Sequence, residues 1–187
     1  MSLPSILPLG RLRSCKLTRC FTVFVMTLIL PAFVPTDGNA PVAALLGAAR
    51  ARTPIVPAGE TFRCTPTAVY DGDGPIWCAE GPKVRIAGVA AREIDGSCRS
   101  NQPCPPVGGT DARDRVVSLF GGPKGKLRTG HILVHSATMS CLSEGSGTGS
   151  RTAAWCVSPV FGDLSCAVVR AGGAIRWPRY WRDHHCR

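Results

Sequence analysis

Apolar positions along this chain fall into one unbroken run followed by two alternating patterns of different period. The run is Cys20 to Thr36, uncharged and carrying Phe21, Val23, Phe24, Val25, Leu28, Ile29 and Leu30, with Arg11, Arg13, Lys16 and Arg19 placed before it. A basic start, an apolar middle and a following set of small residues (Ala40, Ala43, Ala44, Ala48, Ala49) is the layout of a secretory signal peptide over residues 1–40, cut between about 40 and 49. The run is at the short end of the roughly 17–25 residues a membrane-spanning helix needs, and Pro31 interrupts it, so cleavage is the primary reading and a retained anchor the alternative. Residues 41–60, built from Ala, Pro and Gly with Arg50 and Arg52, keep neither period and read as a flexible linker.

The folded domain is expected over residues 61–187. Thr61 to Tyr70 carries β-branched and aromatic residues with partial alternation, Pro75 to Ala79 follows the Asp71 to Gly74 turn, and Lys83 to Val89 places Val84, Ile86 and Gly88 on one face. These are three strands of a meander, the last two separated by Gly81-Pro82. Asp95 to Gly109 is rich in Pro, Gly, Ser and Cys and reads as a loop. The period then becomes helical. Thr110 serves as cap, Asp111 and Asp114 sit at the positive end, Ala112, Val116, Leu119 and Phe120 form the stripe, and Gly121-Gly122-Pro123 stops it. Leu127 to Ser140 and Arg151 to Ser158 are two further strands around a flexible loop at Ser143 to Ser150. Asp163 caps a second helix through Leu164, Ala167, Val168 and Val169, ending at Gly172-Gly173. The order β-β-β-α-β-β-α predicts a mainly β protein with helices (β+α), and more specifically a five-stranded OB-fold barrel, a partly open Greek key whose face and loops commonly hold oligonucleotides.

At 187 residues and 44% apolar content the chain can bury one sizeable core, which sets aside a disordered protein. Of its ten cysteines, eight follow the leader: Cys64, Cys78, Cys98, Cys104, Cys141, Cys156, Cys166 and Cys186. An even number behind an export signal implies disulfides and a periplasmic or secreted location. Strand adjacency favours Cys64 with Cys78 and proximity favours Cys98 with Cys104, leaving Cys141 with Cys156 and Cys166 with Cys186, although spacing alone leaves the connectivity open. Among these eight no closely spaced cysteine pair of the zinc-knuckle type occurs. Net charge is +10, with four Lys/Arg and one Asp in the first forty residues, so the domain itself stays basic and suits a polyanionic partner.

The chemistry concentrates in two segments. Val69-Tyr70-Asp71-Gly72-Asp73-Gly74 puts two carboxylates on a turn, and Lys83-Val84-Arg85-Ile86-Ala87-Gly88-Val89-Ala90-Ala91-Arg92-Glu93 puts an arginine on the next strand and a glutamate beyond it. Phosphodiester hydrolysis needs cations around the phosphoryl group and a base for the attacking water. A guanidinium meets two phosphate oxygens at once and keeps its charge at any working pH. The two segments together resemble the signature of the thermonuclease, or staphylococcal-nuclease-like, family, in which a DGDT turn precedes an R-L-x-G-I-D-x-P-E segment. Gly74 stands for the threonine, Ala90 for the aspartate and Arg92 for the proline.

The resemblance spans about Phe62 to Tyr180 and implies an exported nuclease that hydrolyses DNA or RNA. Arg85 and Arg151, the latter after a glycine-rich loop, would clamp the phosphate, and Glu93 would act as general base. Asp73 and the backbone carbonyl of Ala91 would hold Ca2+. Ala90 removes one carboxylate from that set, and calcium takes about 6–8 oxygens. Along Ala174 to Arg187 arginines interleave with aromatics, so Arg176, Trp177, Arg179 and Tyr180 are candidate substrate-binding residues, matching the family's segment after its second helix and the chemistry of single-strand binders. His184 and His185 read as a surface tail, His131 and His135 as packing or surface residues. The expected partner is nucleic acid, with no stable protein partner implied and a membrane only if the leader is retained. The alternative is a catalytically weakened OB-fold nucleic-acid-binding protein of the cell envelope.

Overall fold

The computed structural model describes residues 55–186; the signal peptide expected over 1–40 and most of the linker expected over 41–60 lie outside them. Eleven strands and three helices are present among the described residues: β1 (Thr61–Cys64), β2 (Pro66–Val69), β3 (Ile76–Cys78), β4 (Lys83–Ile86), β5 (Val89–Ala90), α1 (Gly109–Leu119), β6 (Gly125–Lys126), β7 (Ile132–Leu133), β8 (Met139–Ser146), β9 (Thr152–Ser158), β10 (Gly162–Asp163), α2 (Leu164–Arg170), β11 (Ile175–Arg176) and α3 (Pro178–Trp181). Nine strands form one mixed sheet in the order β1-β8-β9-β4-β3-β2-β7-β6, with β10 on β9, and β11 pairs with β5 in a separate ribbon. The class is therefore β+α.

The sheet is not closed into a barrel. Its hydrogen-bonded ladder starts at β1 and ends at β6, and β1 and β2 do not pair with each other. They are the two halves of the single strand expected over Thr61 to Tyr70, broken at Thr65. The reason is local. Pro66 has no N–H to give a ladder, while the Thr65 N–H and hydroxyl are drawn to the Glu80 carboxylate at 2.8 and 2.7 Å. The expected strand from Leu127 to Ser140 is also broken. Gly130, at φ +88°, closes a turn by donating to the Leu127 carbonyl at 2.9 Å, so the start of the segment is the turn between β6 and β7, and only β7 and the first residues of β8 are strand within it.

Between β8 and β9, half of the expected flexible loop is strand, because β8 continues through a bulge at Ser143/Gly145. Ser143 is buried there, donating to the Val56 carbonyl at 2.8 Å and accepting from Gly145 N–H at 2.9 Å. Val56 in turn donates to Thr152 Oγ1 at 3.1 Å, so residues just before Thr61 are held to the sheet.

The core lies between the sheet and the first two helices. Val69, Ile76, Val84 and Ile86 from β2 to β4 meet Ala112, Val116 and Phe120 of α1 and Leu164 and Val168 of α2, all essentially inaccessible. Burying each such large side chain contributes about 1.5–3 kcal/mol. α1 starts one residue before the expected Thr110 and has no side-chain cap at Gly108, whereas Asp163 caps α2 as expected, accepting from Cys166 N–H at 2.7 Å. A third helix, α3, follows.

All four disulfides expected from the sequence are formed: Cys64–Cys78, Cys98–Cys104, Cys141–Cys156 and Cys166–Cys186. Cys141 and Cys156 are direct cross-strand partners on β8 and β9. Four disulfides suit an oxidising compartment. No helix among the described residues is long and apolar enough to cross a membrane.

Candidate functional site

Strand pairing puts the two arginines together. β4 runs parallel to β9 with Arg85 opposite Ala153. Arg151 lies two residues before Ala153, and side chains two apart in an extended chain share a face. Arg85 and Arg151 therefore emerge on one side of the sheet. The loop between β8 and β9 crosses close to this point. A Cβ on Gly147 would lie 2.9 Å from Arg85 Cβ and from the Ala153 nitrogen, so glycine permits the approach.

The Asp71–Gly74 turn supplies the anions. The Asp73 carboxylate forms an ion pair with Arg85 Nη1 and accepts from the Ala91 N–H at 3.2 Å. Arg85 is fixed further by donating to the carbonyls of Asp73 and Val89, both at 3.3 Å. Gly74 adopts φ +110°, and a Cβ there would lie 2.5 Å from the Val84 carbonyl oxygen; this position in the turn has no room for a threonine. Asp71 is buried and accepts from Asp73 N–H at 3.1 Å. Burial, then the adjacent Asp73 charge, push its pKa up to about 8.

Glu93 leaves β5 on a turn closed by its own N–H to the Ser97 carbonyl at 3.0 Å, and its carboxylate pairs with Arg99 Nε at 2.6 Å. Arg99 follows Cys98, whose bond to Cys104 pins the loop that carries it. Arg151 donates from Nε to the Thr148 carbonyl at 3.1 Å. Burial and then the like charge of Arg85 lower its pKa. An anion placed between these guanidinium groups relieves that repulsion.

Arg85, Glu93 and Arg151 thus line one cavity of about 130 Å3, together with Asp73, Arg99 and Gln102. Arg99 and Gln102 had no distinguishing signal in the sequence beyond lying in a disulfide-pinned loop. Asp71 was visible only as half of an Asp-Gly turn.

Of the four candidate substrate contacts, two face this region. The Trp177 N–H donates to the Gly88 carbonyl at 2.7 Å, and β11 pairs with β5, which carries the tail past the end of β4. Trp177 lines the central cavity, and both Trp177 and Tyr180 line an adjoining one of about 170 Å3 that shares Arg85 and Thr148 with it. Their rings meet edge to face at 4.7 Å. Arg176 and Arg179 line neither. Arg176 stacks over Trp181 at 4.7 Å and Arg179 over Tyr180 at 5.4 Å, while Arg182 borders the adjoining cavity instead.

The residues expected to hold calcium offer a poor fit to it. Asp73 already serves Arg85 and the Ala91 N–H, the Ala91 carbonyl accepts from Gln102 Nε2 at 2.8 Å, and Ala90 contributes no side-chain oxygen. A cation that takes about 6–8 oxygens would compete with protein donors for almost all of those available. A second group, Asp163, Cys166 and His184, has ligand atoms within 4.8 Å of one another. Cys166 is bonded to Cys186, so two free ligands remain, fewer than zinc's four. His184, expected in a loose surface tail, instead pairs with Asp163 at 3.0 Å and stacks on Trp155 with centroids 3.8 Å apart.

Fold and site together define a disulfide-braced β+α domain with an arginine-lined cavity on one sheet face. Comparison with protein-family models, with curated proteins and with solved structures finds no match for the chain.

Proposed function

We propose that this protein is an exported, thermonuclease-like enzyme that hydrolyses phosphodiester bonds of DNA or RNA. The observation that carries the reading is the meeting of Arg85, Arg151 and Glu93 on one small cavity. Support for an OB-type barrel comes from β1 and β2, which are consecutive halves of one segment and pair with β8 and β3 respectively, so the chain itself spans the gap in the ladder.

The guanidinium groups of Arg85 and Arg151 bind the non-bridging oxygens of the scissile phosphate and take up the charge that builds as water adds to phosphorus. Glu93 is the base. Its carboxylate, held in place by Arg99, accepts a proton from that water as the new P–O bond forms; the bond from phosphorus to the leaving sugar oxygen breaks, and that oxygen takes its proton from solvent. Trp177 and Tyr180 form an aromatic wall for an adjacent nucleotide. The positive charge opposite the phosphate is supplied by arginine, in keeping with the donor set around Asp73.

A second reading, binding without turnover, is favoured by Ala90 and by the ion pairs that already engage Asp73 and Glu93. Incubating the purified protein with single-stranded DNA and RNA, with added calcium or with chelator, separates the two. Chain cleavage that Glu93→Gln abolishes supports the enzyme. Binding with no cleavage in any condition supports the second reading, and neither binding nor cleavage overturns both.

A further inference from the structure

The central cavity opens into a second and larger trough of about 500 Å3, with which it shares Glu93, Arg99, Thr148 and Arg151. The far wall of this trough is aromatic. Trp77 points outward from β3, between buried Ile76 and Cys78. His131 packs against it with centroids 4.3 Å apart, and against Tyr70 at 4.9 Å. Lys83, the cross-strand neighbour of Trp77, holds its ammonium 5.4 Å from the Trp77 ring. Three half-buried rings, one on β3 and the others just after β2 and just before β7, with a cation beside them, open onto the cavity that holds Arg151.

Resting on the nuclease reading above, we propose that this trough is a second nucleotide subsite. The Tyr70–Trp77–His131 wall packs the base of a nucleotide on the side of the scissile phosphate away from Trp177 and Tyr180, and Lys83 meets the next phosphate. Bases are recognised this way without regard to sequence, because every base has a face to stack and every link a negative phosphate. Burial first, and the Lys83 charge after it, hold His131 below its ordinary pKa, so at neutral pH the ring joins the wall uncharged.

Fluorescence anisotropy of the full chain with a labelled single-stranded DNA 12-mer and with a dinucleotide tests this. Trp77→Ala is expected to weaken 12-mer binding by about tenfold while changing dinucleotide binding less than about twofold. Lys83→Glu, which removes the cation beside the Trp77 ring but no ring of the wall, is expected to weaken 12-mer binding several-fold and to lower its salt dependence by about one phosphate contact. Wild-type binding to the 12-mer that both variants leave intact overturns the subsite alone. An equal loss for 12-mer and dinucleotide in both variants overturns it too. No binding by the wild type to either ligand overturns this inference together with the nuclease reading.

Discussion

Gly109 opens α1 directly against the backbone of Glu93: a Cβ at position 109 would overlap the Glu93 carbonyl carbon and oxygen. The helix terminus is thus the floor on which the proposed general base rests. Gly109→Ala is expected to push the Glu93 turn outward, lower turnover at least tenfold and cost about 1–3 kcal/mol of stability by overpacking. Gly108→Ser, where a Cβ meets nothing within 4 Å, is expected to keep full turnover and to gain a few tenths of a kcal/mol from the missing cap. Thermal melts and cleavage rates on the two variants check the pair.

The two arginines are expected to fail differently. Arg85→Ala leaves Asp73 buried without its ion-pair partner and should cost about 3 kcal/mol in urea unfolding as well as anion binding. Arg151→Ala breaks one bond to a backbone carbonyl at a half-buried site and relieves repulsion with Arg85, so stability should change by less than about 1 kcal/mol while the salt dependence of oligonucleotide binding falls by about one contact.

Asp71 gives the site a pH dependence with a definite sign. Folding raises its pKa from 3.8 to about 8, so the folded state holds this proton more tightly than the unfolded chain does. The group has no effect on stability below about pH 4, and opposes the fold increasingly as pH rises from there to about 8. Asp71→Asn is therefore expected to match the wild type near pH 4, to exceed it progressively with rising pH and to level off above about 8, as measured by denaturant titrations. Ionisation of Asp71 also adds a negative charge next to the anion cavity, so oligonucleotide binding by the wild type should weaken as pH passes about 8, and the variant should not show that step.

Calcium is expected to matter little. With the Asp73 and Ala91 oxygens engaged by Arg85, Ala91 N–H and Gln102, cleavage and binding should change less than about threefold between millimolar calcium and excess chelator. A calcium requirement of a hundredfold or more would overturn this account of the donor set.

Much of the site was legible because it rests on local signals. The Asp-Gly turn, an arginine on an alternating strand and a glutamate eight residues later are short-range features. Asp163 is a sound cap for the same reason. What escaped was non-local. Arg99 reaches Glu93 only because a disulfide folds back the loop bearing it, and Gln102 finds Ala91 by the same route. The Tyr70–Trp77–His131 cluster joins three segments distant in sequence, none of which announces the others. Strand breaks were misread where one residue overrides a regional pattern: Pro66 lacks the N–H a continuous strand needs, and Gly130 turns a run that otherwise alternates. Among the arginines of the tail, alternation with aromatics was visible but direction was not, and Arg176 and Arg179 lie over rings instead of facing the cavity.

Trp177 and Tyr180 sit on a lasso whose knot is the bond between Cys166 and Cys186. A Cys166→Ser/Cys186→Ser protein would keep the three disulfides that brace the sheet and the Arg99 loop but carry that lasso untied, free to swing away from the arginines. Its affinity for oligonucleotides would then fall while its circular dichroism stayed that of the wild type, and an affinity equal to the wild type's would show that the tie does not position the rings.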